Sequence, residues 1–144
     1  MWTNGGLRRV LDGTLNLTTA TLKVMLLDTG YVPDPDHEFV ASLAANELSG
    51  TGYTAGFGGA GRKTLAGKTF TKDDTLDEAR FDATDPTWAG ADFGTVGCAA
   101  IINEVTSNAD SPVLALLPVS PTVLTSGGTL TLTLGTYAMK LTVG

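Results

Sequence analysis

The chain has 144 residues, 42% of them hydrophobic and 17% charged, which suits one domain with a buried core. Lys and Arg number 9 against 15 Asp and Glu, and the net charge of -6 argues against phosphate-neutralising contact with nucleic acid and against docking on anionic lipid. A single cysteine excludes an internal disulfide, and a single histidine excludes a multi-histidine metal site.

Residues Met1–Arg9 read as a flexible N-terminal arm, with residues 10–144 forming one β-rich domain. Gly5-Gly6 loosens the arm, Trp2 offers an aromatic anchor, and Arg8-Arg9 is the only adjacent arginine pair. The first residues lack the apolar core of a signal peptide, and no run is long and apolar enough to span a membrane, so folding in a cytoplasm is expected. Thr21–Asp28 reads as a strand that is apolar on both faces and therefore central. Asp34–Asn46 is predicted to be the one short α-helix: Asp34 as cap, Pro35 at the first position, and Phe39, Val40, Leu43 and Ala44 as an apolar stripe.

Ser49–Thr71 contains a sequence that imitates a phosphate-binding loop. Gly56, Gly58 and Gly61 have the GxGxxG spacing, but Arg62 stands where lysine is required and Lys63 comes one residue late. No apolar strand precedes the loop, and the threonine-rich Thr64–Thr71 that follows suits a strand better than a helix. A flexible surface loop that touches a neighbouring subunit through Phe57, Arg62 and Lys63 is the expectation.

Period-two patterns dominate the remainder. Phe81 and Ala83 alternate with Arg80 and Asp82, Val96–Val105 reads as a buried strand, and Val113–Leu117 as a strand closed by Pro112 and Pro118. Thr129–Leu134 alternates leucine with threonine and is predicted to form a terminal hairpin with Tyr137–Val143. Leu22, Val24, Leu26, Phe81, Ile101, Leu130, Leu132 and Leu134 are the predicted core. The fold class is mainly β: an antiparallel sandwich or barrel-like single domain with one short helix.

Chemistry-bearing residues are sparse. His37 sits at an acidic helix start, where a solvated ring is expected, and Cys98 lies among small apolar residues, as a buried thiol would. The carboxylates Asp73, Asp74, Asp77 and Glu78 lack the spacing of a calcium loop and read as a solvated turn. Of the aromatics Trp2, Tyr53, Phe57 and Trp88, the last reads as core, whereas Trp2 and Phe57 lie in glycine-rich surroundings that favour contact. No catalytic residue, metal ligand or cofactor site is predicted.

The order of segments resembles a family of small virion structural proteins of tailed bacteriophages. The resemblance spans nearly the whole chain after about residue 7. It is carried by Leu22–Tyr31, Glu47–Tyr53, Lys63–Thr71, Asp85–Trp88 and the Ser111-Pro112 strand start. The closing segment Gly135–Gly144 differs from the tryptophan-containing end of such relatives. The resemblance implies assembly into a phage particle, at the capsid surface, the portal region or the tail. With so few chemistry-bearing residues, the expected role is that of a non-enzymatic capsid decoration, or cement, protein that binds the major capsid protein and neighbouring copies of itself, and Trp2, Arg8, Arg9, Phe57, Arg62 and Lys63 are the expected contact residues. The alternatives are a tail-tip or fibre-attachment protein and, from a different class, a surface carbohydrate-binding module.

Overall fold

A computed structural model describes residues 1–135 and 138–142. The fold is a mainly β single domain with antiparallel sheets and, among the described residues, one α-helix and no closed barrel.

The framework is a four-stranded sheet in the order β2-β1-β6-β7: β1 Leu22–Leu27, β2 Lys63–Thr64, β6 Thr95–Asn103 and β7 Val113–Leu124. A three-stranded sheet joins β3 Thr69–Asp73, β4 Glu78–Asp82 and β9 Met139–Thr142 in the order β3-β4-β9, and a two-stranded sheet pairs β5 Thr87–Ala91 with β8 Gly128–Thr131. Leu22, Val24, Leu26, Ala99 and Ile101 face these smaller sheets and meet Phe81, Trp88, Leu134 and Met139. Met25, Leu27, Cys98, Ala100 and Ile102 face the other way, onto Tyr31, Val40 and Leu43. Burial on both faces of β1 follows from its unbroken apolar run. Six of the eight predicted core residues are buried, while Leu130 and Leu132 are half-buried beside the core.

The predicted α-helix over Asp34–Asn46 is absent. Two 3-10 turns, Val40–Ser42 and Ala44–Asn46, stand there instead. The backbone N–H of Val40 donates to Ser111 O and that of Ala41 to Asn108 O, both at 2.9 Å, so these donors are taken by the 107–111 loop. The apolar stripe still points inward: Val40 and Leu43 are fully buried. Long-range backbone pairing has replaced the local ladder that a helix needs.

The α-helix lies where the flexible arm was expected. Helix α1 spans Asn4–Leu11 and is capped by Thr3, whose Oγ1 accepts the Gly6 N–H at 2.9 Å. Residues 1–3 run along the outer edge of β7: Thr3 N–H donates to Leu114 O at 2.9 Å and Leu116 N–H to Met1 O at 2.8 Å. Gly6 permits this docking, since a Cβ there would sit 2.6 Å from the Leu114 Cα. Arg8 and Arg9 fall in the last turn, where positive charge complements the helix dipole.

Two further expectations are corrected. Strand β7 does not stop at Pro118 but continues to Leu124. It is an edge strand, and Leu116, two residues earlier, directs its N–H outward to Met1, so the N–H that Pro118 lacks would face the unpaired side. The terminal hairpin is not formed either. Strand β8 pairs with β5, placing Leu130 opposite Trp88, and β9 pairs with β4, placing Met139 opposite Phe81. Each strand packs its apolar residue against a distant aromatic, Met139 buried and Leu130 half-buried, and this outweighs a local turn. Tyr137 and Val143 lie outside the described residues.

Candidate partner-docking site

The glycine-rich loop Thr54–Gly61 is held far more firmly than its composition suggests. Its neck is closed by Gly61 N–H donating to Thr54 O at 3.0 Å, and its tip by Gly59 N–H donating to Gly56 O at 3.0 Å. Gly56 and Gly58 have φ of 93° and 71°, values that side chains rarely adopt. A Cβ on Gly59 would overlap the Thr54 carbonyl oxygen, and one on Gly61 would enter the Tyr53 ring. Gly56 and Gly58 serve the left-handed turns and Gly59 and Gly61 serve close packing, so the expectation of a flexible loop is overturned.

Beneath the loop lies a buried ionic network. The Arg62 side chain is fully buried, donating from Nε and Nη2 to the two oxygens of Glu47 at 2.8 and 2.7 Å, and from Nη1 to Glu104 Oε1 at 2.8 Å and Asn108 Oδ1 at 3.0 Å. Lys23 Nζ completes the set on Glu104 Oε2, so two cations balance two carboxylates. The same carboxylates reach up to the loop. Gly56 N–H donates to Glu47 Oε2 at 3.1 Å and Gly58 N–H to Glu104 Oε1 at 3.2 Å. Tyr53 adds a hydroxyl that accepts the Leu26 N–H and donates to Glu47 Oε1. Burial pushes the Glu104 carboxyl up, but hydrogen bonds from Lys23, the Gly58 N–H and Arg62 outweigh it and hold the group below the usual carboxylate range.

Two consequences follow. The amides that would cradle a phosphate already bind carboxylates, and an anion placed there would meet their negative charge. Phe57, between the two pinned glycines, stands at the tip of a stiff finger with 46% of its surface exposed. An aromatic whose backbone is already fixed loses little conformational entropy when it docks.

The other proposed contact residues separate from Phe57. Arg62 is part of the buried network and is not available at the surface. Half-buried Lys63 places its backbone in β2 opposite Val24. Arg8 pairs with Asp12 at 3.0 Å, and Arg9 pairs with Glu38 at 2.6 Å and lies over the Phe39 ring. Trp2 pairs in backbone with Ala115 and donates Nε1–H to Lys140 O at 2.8 Å, so it is built into the domain rather than carried on a free arm. Arg62 and Glu104 were individually visible in the sequence, but only the fold joins them across 42 residues.

The remaining candidates are engaged in structure. His37 is half-buried rather than solvated, with Nδ1 2.9 Å from the Tyr31 hydroxyl. Cys98 is buried, and burial pushes its thiol up to about 11. Tyr53 and Trp88 stack inside the core, which removes both as a glycan platform. In the acidic stretch Asp73 accepts the Thr75 and Leu76 N–H groups, Asp74 pairs with Lys72, and buried Glu78 pairs with Lys140 and Arg80. No cluster suited to holding a metal occurs among the described residues. Compared with protein families, with curated proteins and with solved structures, the chain has no match.

Proposed function

We propose that this chain is a bacteriophage virion structural protein, a capsid decoration protein that binds the assembled head shell and stabilises it without chemistry. The observation that carries the reading is the stiff loop that presents Phe57: four glycines, two buried carboxylates and a buried arginine hold one exposed aromatic in place. Such an arrangement has little use inside a monomer, and aromatic anchors of this kind dominate protein contacts. A protein that binds only the assembled lattice stabilises it by mass action, and many copies add avidity. The outer face of α1, with Leu11 74% exposed beside Arg8, is a second surface available to the shell.

The test is co-sedimentation of purified protein with undecorated shells of the particle that encodes it. Saturable binding in tens to hundreds of copies is expected, weakened roughly thirtyfold by Phe57→Ala. Absence of binding by the wild-type protein would overturn the proposal.

A further inference from the structure

The edge of the four-stranded sheet opposite the finger carries a cleft that suits it. Helix α1 and the segment after it stand over the three-stranded sheet, and an apolar cleft of about 350 Å³ opens between them. Trp2, Val10 and Leu17 form one wall, and Phe70, Ala79 and Leu141 line the sheet side. Phe70 is 46% exposed although its ring lies 5.3 Å from that of Phe81. An apolar cavity of about 150 Å³ is enough to hold benzene, so this cleft has room for a phenyl ring and the glycine backbone on either side of it.

We infer that the cleft receives Phe57 from a second copy of this chain, an inference that rests on the decoration reading and names one partner for its loop. Three observations commit the site to this occupant. The finger is uncharged from Thr54 to Gly61, so it brings no ion of its own into a cleft whose lining is apolar apart from Thr71, Lys72 and Arg80. It is also pinned at its neck and tip, so it arrives preformed. Finally, finger and cleft cannot meet within one molecule. The loop joins the sheet at β2, one edge, whereas Trp2 lies outside β7, the other edge, about 19 Å away at the usual strand spacing. Contact between copies is therefore head-to-tail, with each molecule offering a finger to one neighbour and a cleft to another. Repetition of that contact gives a ring or a chain. A net charge of -6 on each copy opposes association in free solution, so the contact is weak there and strengthens with added salt. On a shell, anchoring raises the local concentration and makes the same contact effective.

Sedimentation velocity on the purified protein tests this directly, up to about 1 mM and at low and raised salt. The variants are Phe57→Ala, which removes the finger, and Ala79→Glu, which puts a charge in the cleft at an exposed strand position opposite Lys72. Thermal melts confirm that both variants fold. The wild-type protein is expected to form concentration-dependent oligomers, and each variant alone to remain monomeric. An equal mixture of the two is expected to give dimers and nothing larger, because Ala79→Glu still has its finger and Phe57→Ala still has its cleft. A wild-type protein that stays monomeric throughout would overturn the inference, and so would folded variants that associate as it does. Shell binding sensitive to Phe57→Ala but not to Ala79→Glu, with a monomeric wild type, would place the finger on the shell itself: the self-contact would fall and the decoration reading would stand.

Discussion

Two glycine-rich turns in this molecule look alike in sequence and differ in how they are held: the first by buried carboxylates and close packing, the second by backbone hydrogen bonds such as Gly127 N–H to Ala91 O at 2.7 Å. In Thr54–Gly61, Gly59 and Gly61 are wedged against backbone and ring atoms, and the amides of Gly56 and Gly58, whose Cα positions are open, bind buried carboxylates. In Ser126–Gly128, a Cβ added to Gly127 or Gly128 would meet nothing within 4 Å, and the flanking Leu124 is 69% exposed. Stiffness therefore comes from what surrounds a glycine, and glycine content alone does not reveal it. The second turn connects strands. The first is a mount for one aromatic side chain.

The sharpest way to break this contrast is to remove the arginine. Arg62→Ala leaves Glu47 and Glu104 buried beside each other with only Lys23 to compensate, and should cost about 3–5 kcal/mol in a denaturant titration. A loss below about 1 kcal/mol would mean that the network contributes little to holding the loop.

A smaller effect is expected from single methyl groups. Gly61→Ala drives a Cβ into the Tyr53 ring and should cost roughly 1–3 kcal/mol, as overpacking does. The matched change Gly128→Ala should stay within about 0.5 kcal/mol. Equal melting shifts for the two variants would erase the difference between the turns.

Acid should act on the first turn and spare the second. The folded-state pKa of Glu104 is depressed, so its contribution is complete above the unfolded carboxylate value of about 4.3 and is lost as pH falls through the folded value. Stability should therefore hold through neutral pH and decline below about pH 4. Asp12, Asp73 and Glu78 are depressed as well, by hydrogen bonds and neighbouring cations, and add to the same decline. Glu104→Gln isolates one share: its acid limb should be shallower than that of the wild type. Identical limbs would remove Glu104 from the account.

The smallest stability effect belongs to the residue with the largest proposed role. Phe57 is half-exposed at a loop tip, so Phe57→Ala should leave the melting temperature within the range of ordinary surface substitutions, about 0.5 kcal/mol. A larger loss would show that the ring supports the fold and is not reserved for a partner.

Particular residues show how far the sequence could be read. Strands β1, β4 and β6 were legible because period-two and all-apolar runs report burial directly. Helix α1 was hidden by Gly5-Gly6, which argue against a helix until the close approach to Leu114 explains Gly6. The available signal was Thr3 as a cap, with Arg8 and Arg9 at the far end. The supposed helix at Asp34–Asn46 had good caps and a good stripe, but its amides found partners at Asn108 and Ser111, a competition that no local pattern reports. The exposure of Phe57 was legible from its glycine-rich surroundings. Arg62 was misassigned to the surface, because its partners Glu47 and Glu104 lie 15 and 42 residues away.

Amide hydrogen exchange at Gly56 and Gly58 in the free protein tests the central claim, that the finger is stiff before it meets a partner. Both amides donate to buried carboxylates, so exchange at neutral pH should be slowed well below the rate of an unstructured peptide and should quicken in Glu104→Gln at Gly58 first. Exchange of both amides at the unprotected rate would contradict the account, because a loop that opens freely is not a mount for Phe57.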